Sequence, residues 1–356
     1  MKLLDVSAID CDVHPTVPDL ADLLPYMEPH WRDTISDRGI EAFESISYPP
    51  NAPLSARPDW RDERGRAAQN VTSLATQALD RWNLRFAVGN CIYGVHMAFS
   101  EDLAAVLARA VNDWLVREWL DREPRLRASI VVPLQNPELA VDEIRRRSED
   151  RRFVQVLLPA MAEAPLGRRH FWPIYSAAER AGLPIGIHAG SSYRHPVTPV
   201  GWPSHYVEDY ASQAQAFQGQ LASLVCEGVF TKFPNLKVVL IESGVTWLTP
   251  FLWRLTKFWR GLRSEVPWVD RPPSEIVREH VRMTIQPFDA PDGTERLERI
   301  IDHLQSDRML LFSSDFPHWQ FDGDEVLPNG FPESLVGRIA VDNPLETYPR
   351  MKECMP

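Results

Sequence analysis

Polar and apolar positions along this chain follow two rhythms. Short apolar runs, "SAIDCDVH", "RFAVGNCIYG", "RASIVVPL", "RFVQVLLPA", "LPIGIHAG", "LKVVLIESG", "VRMTIQP" and "RMLLFSSDFPH", punctuate longer stretches in which apolar residues recur every three or four positions. The runs predict eight strands, and the longer stretches, clearest over Glu101 to Leu120 and Gln213 to Phe230, predict helices. Eight alternating strand and helix units predict an α/β fold, a (β/α)8 TIM barrel with parallel strands. The rival, a doubly wound open sheet, would carry a Gly-rich phosphate turn after its first strand, where this chain has Asp12 and His14. With 356 residues, one barrel domain over 1–356 accounts for the length.

Two segments break the rhythm. Residues 15–65, with many prolines and with Tyr26, Trp31, Tyr48 and Trp60, predict a loop and helix insertion over the barrel mouth. Ser191 to Tyr210, rich in His, Tyr, Trp and Pro, follows the fifth strand at the same end. Residues 330–356 form a C-terminal extension, read as a wrap around the barrel or a partner contact.

Charge and composition narrow the function. A formal charge of −11 argues against nucleic acid as a partner, since backbone binding needs clustered Lys and Arg. Cys11, Cys91, Cys226 and Cys354 are widely spaced and form no CxxC pair, so neither a disulfide framework nor a zinc knuckle is expected, and a reducing cytoplasm fits. The first residues lack the apolar run of a signal peptide, and no stretch reaches the roughly 20 apolar residues of a membrane span. The expectation is a cytoplasmic enzyme that meets neither membrane nor nucleic acid and acts on a small molecule.

Candidate chemistry sits at the strand ends. In such a barrel the C-terminal ends converge on one face, so Asp12 and His14 of the first strand, His188 of the fifth and Asp315 of the eighth can surround one point. A divalent cation suits two carboxylates and two imidazoles. Each residue alone has a plainer reading, a capped turn for Asp12 or a packed ring for His14 and His188; their common placement favours the metal site. Glu242 ends the sixth strand, where it either caps the next helix or joins the site. His195, His205 and His318 lie on loops expected to overhang the mouth, and His96 lies near the second strand. With Glu242 these histidines could bind substrate or hold a second metal. Gln286 ends strand seven as a possible substrate donor, Arg194 is the nearest cation for a substrate carboxylate, and Tyr193, Trp202, Tyr206 and Trp247 could wall a pocket. Cys11 reads as an inert barrel-core thiol.

The stretches "IDCDVHP", "GLPIGIHAG", "FPNLKVVLIESGVTWL" and "LLFSSDFPHW" resemble the amidohydrolase superfamily, in its branch related to aminocarboxymuconate-semialdehyde decarboxylase and the resorcylate decarboxylases. The resemblance runs from Ile9 to about Phe321 and implies a metal-bearing barrel. It implies Asp12 and His14 in place of the first-strand metal pair, His188 as the fifth-strand ligand, and Asp315 as eighth-strand ligand and proton shuttle. Two residues depart from the pattern. Asp12 stands where the superfamily often has a histidine, a harder donor that brings manganese and iron into competition with zinc. Glu242 stands where decarboxylating relatives usually carry a histidine, and an anionic Glu242 would repel a substrate carboxylate, which weighs against decarboxylation.

The leading expectation is therefore an enzyme with one divalent metal, zinc, manganese or iron, that hydrolyses or decarboxylates a small organic acid or amide, with Asp315 and Glu242 as catalytic groups. The alternatives are a dinuclear iron or manganese-iron oxygenase and a metal-bearing, noncatalytic subunit of an active paralogue. A homo-oligomer is expected, with a paralogue as the other possible partner, and the aromatic stretch 247–259 could pack on the barrel or form an interface.

Overall fold

In the computed structural model, which describes residues 2–43, 56–191, 195–318 and 325–353, all eight apolar runs are strands. They are β1 (Ala8–Val13), β2 (Leu84–Gly89), β3 (Leu126–Val131), β4 (Phe153–Met161), β5 (Ile185–Ser191), β6 (Val238–Ile241), β7 (Val281–Thr284) and β8 (Leu310–Leu311). Each pairs in parallel with the next in chain order. Backbone bonds join the first strand to the residues after the last: Cys11 N donates to Phe312 O (2.9 Å), Asp315 N to Asp12 O (3.1 Å) and His14 N to Phe316 O (2.7 Å). The sheet thus comes round on itself as the expected (β/α)8 barrel.

Local chemistry explains the helices that cover it. Glu101–Leu115 begins where Ser100 Oγ accepts from Leu103 N (3.2 Å), and it buries Ala104, Leu107, Ala108, Val111 and Leu115, a stripe at helical spacing. Pro137–Arg147 starts on an Asn136 cap with proline in its first turn. The helix expected from Gln213 begins earlier, spanning Tyr206–Cys226, because Glu208 Oε1 accepts from both His205 N (3.1 Å) and His205 Nδ1 (2.7 Å) at its start. It stops before Gly228, whose φ of +78° is left-handed. In the aromatic helix Leu248–Leu262, Leu248 and Leu252 are buried while Trp253, Phe258 and Leu262 are exposed. Among the described residues no helix is long and apolar enough to cross a membrane.

The barrel interior is filled by Ile9, Cys11, Phe86, Val154, Val239 and their neighbours, and Tyr348 and Met351 of the C-terminal segment pack against them, both fully buried. Arg350, between these two in sequence, donates to Phe153 O (2.8 Å) and Ala181 O (2.9 Å), where β4 begins and just ahead of β5. The segment read as a wrap or partner contact is therefore a plug in the barrel floor. Met351→Ala leaves a void there and is expected to lower the unfolding free energy by about 2–5 kcal/mol, read from urea denaturation. A loss within the error of the measurement would contradict the plug.

Candidate metal centre

The first strand places its acidic residues by means of a bulge. Ala8 and Val13 belong to the outer core whereas Ile9 and Cys11 belong to the interior, and the pairing with β2 shifts between Asp10 and Val13. Simple alternation from Cys11 would turn Asp12 outward; the extra residue lets Asp12 follow Cys11 inward. Asp12 N donates to Asp10 Oδ1 (3.1 Å), and the same oxygen accepts from Ser314 N (3.0 Å). Asp10 is fully buried, and that burial pushes its carboxyl up to about 7. From Asp12 onward the i, i+2 expectation holds, and His14 faces the same way as Asp12.

Around this pair the strand ends converge. His14 Nε2 lies 2.9 Å from Asp315 Oδ1 and 3.4 Å from Asp12 Oδ1. His188 Nε2 lies 3.6 Å from Asp12 Oδ1 and 3.7 Å from Glu242 Oε2. His318 stacks on His14 with centroids 4.5 Å apart, and its Nδ1 lies 3.0 Å from Asp315 Oδ1. Asp12, His188 and Asp315 are fully buried, and His14, Glu242 and His318 nearly so. Glu242 and Asp315 both hold left-handed backbone, with φ of 58° and 57°, a strain of about 1–3 kcal/mol each that typically marks a functional site.

The electrostatics follow from this crowding. Burial opposes ionisation of Asp12, but His14 and His188 outweigh it and hold the carboxyl below its usual range. Burial likewise works against charge on His14, yet Asp12 and Asp315 raise it well above an ordinary imidazole. Asp315 is lowered by His318 and His14 against its own burial. Glu242 goes the other way: burial first, then the charge of Asp315, raises it well above the carboxylate range. The carboxylates on either side thus favour the charged form of His14, which lies between Asp12 and Asp315.

Ligand geometry agrees with a divalent cation. His14 Nδ1 donates to Asn90 O (3.1 Å) and His188 Nδ1 to Ala189 O (2.7 Å), so each ring turns Nε2 toward the carboxylates, as metal-binding imidazoles do. Among the described residues, Asp12 Oδ2, His188 Nε2, Glu242 Oε1 and Asp315 Oδ2 are buried without a hydrogen-bond partner, which is expensive unless a cation or a proton takes their lone pairs. Two sets of ligand atoms lie within 4.8 Å of one another, Asp12–His14–His188 and His14–Glu242–Asp315–His318.

Other residues expected at the site lie elsewhere. His205 is exposed and caps a helix with Glu208. Both ring nitrogens of the exposed His195 meet backbone carbonyls, of Pro196 and Ala162. Gln286 donates to Val326 O (2.6 Å), Trp202 is half exposed, and Trp247 Nε1 donates to Ser243 O. His96 is buried with Nε2 donating to Val132 O (3.1 Å). Tyr193 and Arg194 fall outside the described residues. Tyr206 does reach the cavity of about 490 Å³ that opens above the cluster, alongside residues sequence reasoning missed: Phe43, Tyr93, Asp209, Arg61 and Arg66. The aromatics carry no pattern that separates them from packing residues, and the two arginines sit in the 15–65 segment, where nothing ties a charge to a strand end.

The amidohydrolase family model matches residues 9–350, nearly the whole chain. The chain belongs to the amidohydrolase family. Among curated relatives of this amidohydrolase is the gamma-resorcylate decarboxylase of Rhodococcus jostii (strain RHA1), 25% identical over 279 residues, or 72% of this chain and 80% of the relative. An amidohydrolase from Mycobacterium avium subsp. paratuberculosis superposes with a TM-score of 0.72 at 21% identity, covering 97% of this chain and 99% of the other. A dihydroxybenzoic acid decarboxylase from Polaromonas sp. JS666, solved with manganese and 2-nitroresorcinol, superposes with a TM-score of 0.68 at 18% identity, covering 96% and 97%. This agrees with the resemblance read from the sequence motifs and with an enzyme of the metal-dependent hydrolase and carboxy-lyase class.

His96 supplies a pH test. Burial lowers its imidazole to about 4, against the Val132 carbonyl, which favours the charged ring. The unfolded chain therefore binds more protons here between pH 6.5 and 4, so the stability is full above pH 6.5 and lost as pH falls toward 4. Unfolding free energies of the wild type are expected to fall over that window by up to about 3 kcal/mol more than those of His96→Gln. Parallel profiles for the two proteins would show that the ring is not held neutral.

Proposed function

We propose that this amidohydrolase is a non-oxidative decarboxylase of aromatic acids that holds one divalent cation, manganese being the first choice, on Asp12, His14, His188 and Asp315. The observation that carries the reading is the cavity. Among the described residues its walls include Phe43, Ile92, Tyr93 and Tyr206, surfaces suited to a flat ring, and its floor includes His14, Glu242 and His318. The decarboxylases among its relatives and structural neighbours add support. A cation bound at the cluster would supply positive charge to draw in an acid and to stabilise negative charge developing on it. One cation is the simpler reading because both ligand sets draw on His14, whose Nδ1 is committed to Asn90 and whose Nε2 alone is left.

The protein groups then divide the remaining work. Asp315 Oδ1 lies beside His14 and His318, so the carboxylate of Asp315 is placed to relay a proton to the substrate and not to hold one at rest. In the reaction the bond from ring carbon to carboxylate breaks, its electron pair stays on the carbon, the carbon takes the proton from Asp315, and carbon dioxide leaves. His318, 3.0 Å away, is placed to return a proton to Asp315. A Glu242 kept neutral by burial answers the objection of charge repulsion, since a carboxylic acid can donate to an incoming carboxylate. Arg61 and Arg66 add positive charge to the cavity wall.

Manganese-loaded protein offered a panel of hydroxybenzoic acids is expected to release carbon dioxide without consuming oxygen, and Asp315→Asn is expected to lose about 100-fold or more while remaining folded. Turnover of amides or lactones with no carbon dioxide from any acid would replace this reading with hydrolysis. Substrate-dependent oxygen uptake would replace it with the oxygenase.

A further inference from the structure

Beneath the cluster, three uncharged polar side chains are fully buried beside the apolar residues of the barrel interior: Asn90 just past β2, Ser129 on β3 and Gln155 on β4. Barrels of this kind usually fill such positions with Val, Ile or Leu, and buried polar groups are tolerated only when satisfied. These three satisfy one another in a fixed order. Ser129 Oγ donates to Asn90 Oδ1 (2.5 Å), Gln155 Nε2 donates to the same oxygen (3.0 Å) and to Ser129 Oγ (2.7 Å), and Tyr348 OH donates to Gln155 Oε1 (3.3 Å). Gly186 on β5 clears the space: a Cβ there would lie 2.9 Å from Gln155 Cδ.

Two donors on its oxygen leave the Asn90 amide a single orientation, with its NH2 group toward β1. Asn90 Nδ2 accordingly donates to Asp12 Oδ1 at 2.8 Å. The backbone carbonyl of the same residue accepts from His14 Nδ1 at 3.1 Å. One residue thus directs Asp12 by its side chain and His14 by its main chain, leaving Asp12 Oδ2 unpartnered and His14 Nε2 toward the cluster.

We propose that Asn90 is the positioning residue of the cation site, setting Asp12 and His14 jointly, and that Ser129 and Gln155 govern cation affinity only through the Asn90 amide. The inference rests on the reading that Asp12 and His14 hold the cation. Among the described residues neither Ser129 nor Gln155 hydrogen-bonds to Asp12 or His14, whereas both bond to Asn90, which makes Asn90 the direct route from them to the cation site.

The test is manganese binding by metal-free protein, with free manganese ion counted by electron paramagnetic resonance, so that the readout is independent of turnover. Asn90→Ala is expected to weaken binding about 10- to 100-fold and Ser129→Ala about 10-fold. The double variant is expected to match Asn90→Ala within about twofold, because the lock has nothing left to hold. Ser129→Ala at wild-type affinity, or losses that multiply in the double variant, would overturn the inference. If Asn90→Ala does not fold by circular dichroism, Asn90→Asp takes its place; it sets an oxygen against Asp12 and is expected to lose at least as much, and wild-type affinity there would also overturn the inference. A wild-type chain that takes up no manganese overturns the cation reading as well, whereas normal wild-type uptake beside an unaffected Ser129→Ala overturns the inference alone.

Discussion

Asp12, Glu242 and Asp315 are buried close together at the mouth end of the barrel, and like charge so confined has to be neutralised before the strands can converge. His14, flanked by Asp12 and Asp315, is biased by them toward its charged form, and Glu242 is biased by burial toward its neutral one. The same residues also hold the barrel shut, since Asp315 N donates to Asp12 O and His14 N to Phe316 O across the junction of first and last strands. Closure and chemistry therefore rest on one set of atoms. The left-handed backbone at Glu242 and Asp315 persists because packing and hydrogen bonds around it leave no relaxed alternative.

Much of this was legible in the sequence because strand period and strand ends are strong signals. The eight apolar runs became eight strands, and His188 within β5, with His14, Glu242 and Asp315 just beyond β1, β6 and β8, meets Asp12 in space. The route was less legible. Alternation correctly related Asp12 to His14, but the bulge that brings both Cys11 and Asp12 inward depends on Asp10 accepting two backbone N–H groups, one of them from a residue 304 positions away. Pairings of that range leave no local trace.

Loop histidines were the weaker guide for a related reason. A loop position says that a side chain is near the mouth and nothing about its direction. His205 is spent on starting a helix and His195 on two carbonyls, whereas His318, three residues after Asp315, is carried into the cluster by the strand end that precedes it. Asn90 was passed over because an asparagine after a strand ordinarily reads as a turn residue. Its importance comes from Ser129 and Gln155 on neighbouring strands, which only the closed barrel brings to it.

The bond between His14 and Asp315 spans 301 positions of the chain. During biosynthesis β1 leaves the ribosome long before β8 exists, and throughout that interval Asp12 and His14 lack the acid that completes their surroundings. The backbone bonds of Cys11 and His14 to Phe312 and Phe316, and of Asp315 to Asp12, form only when that last strand arrives, so the barrel and the full set of acids around His14 are completed in one event.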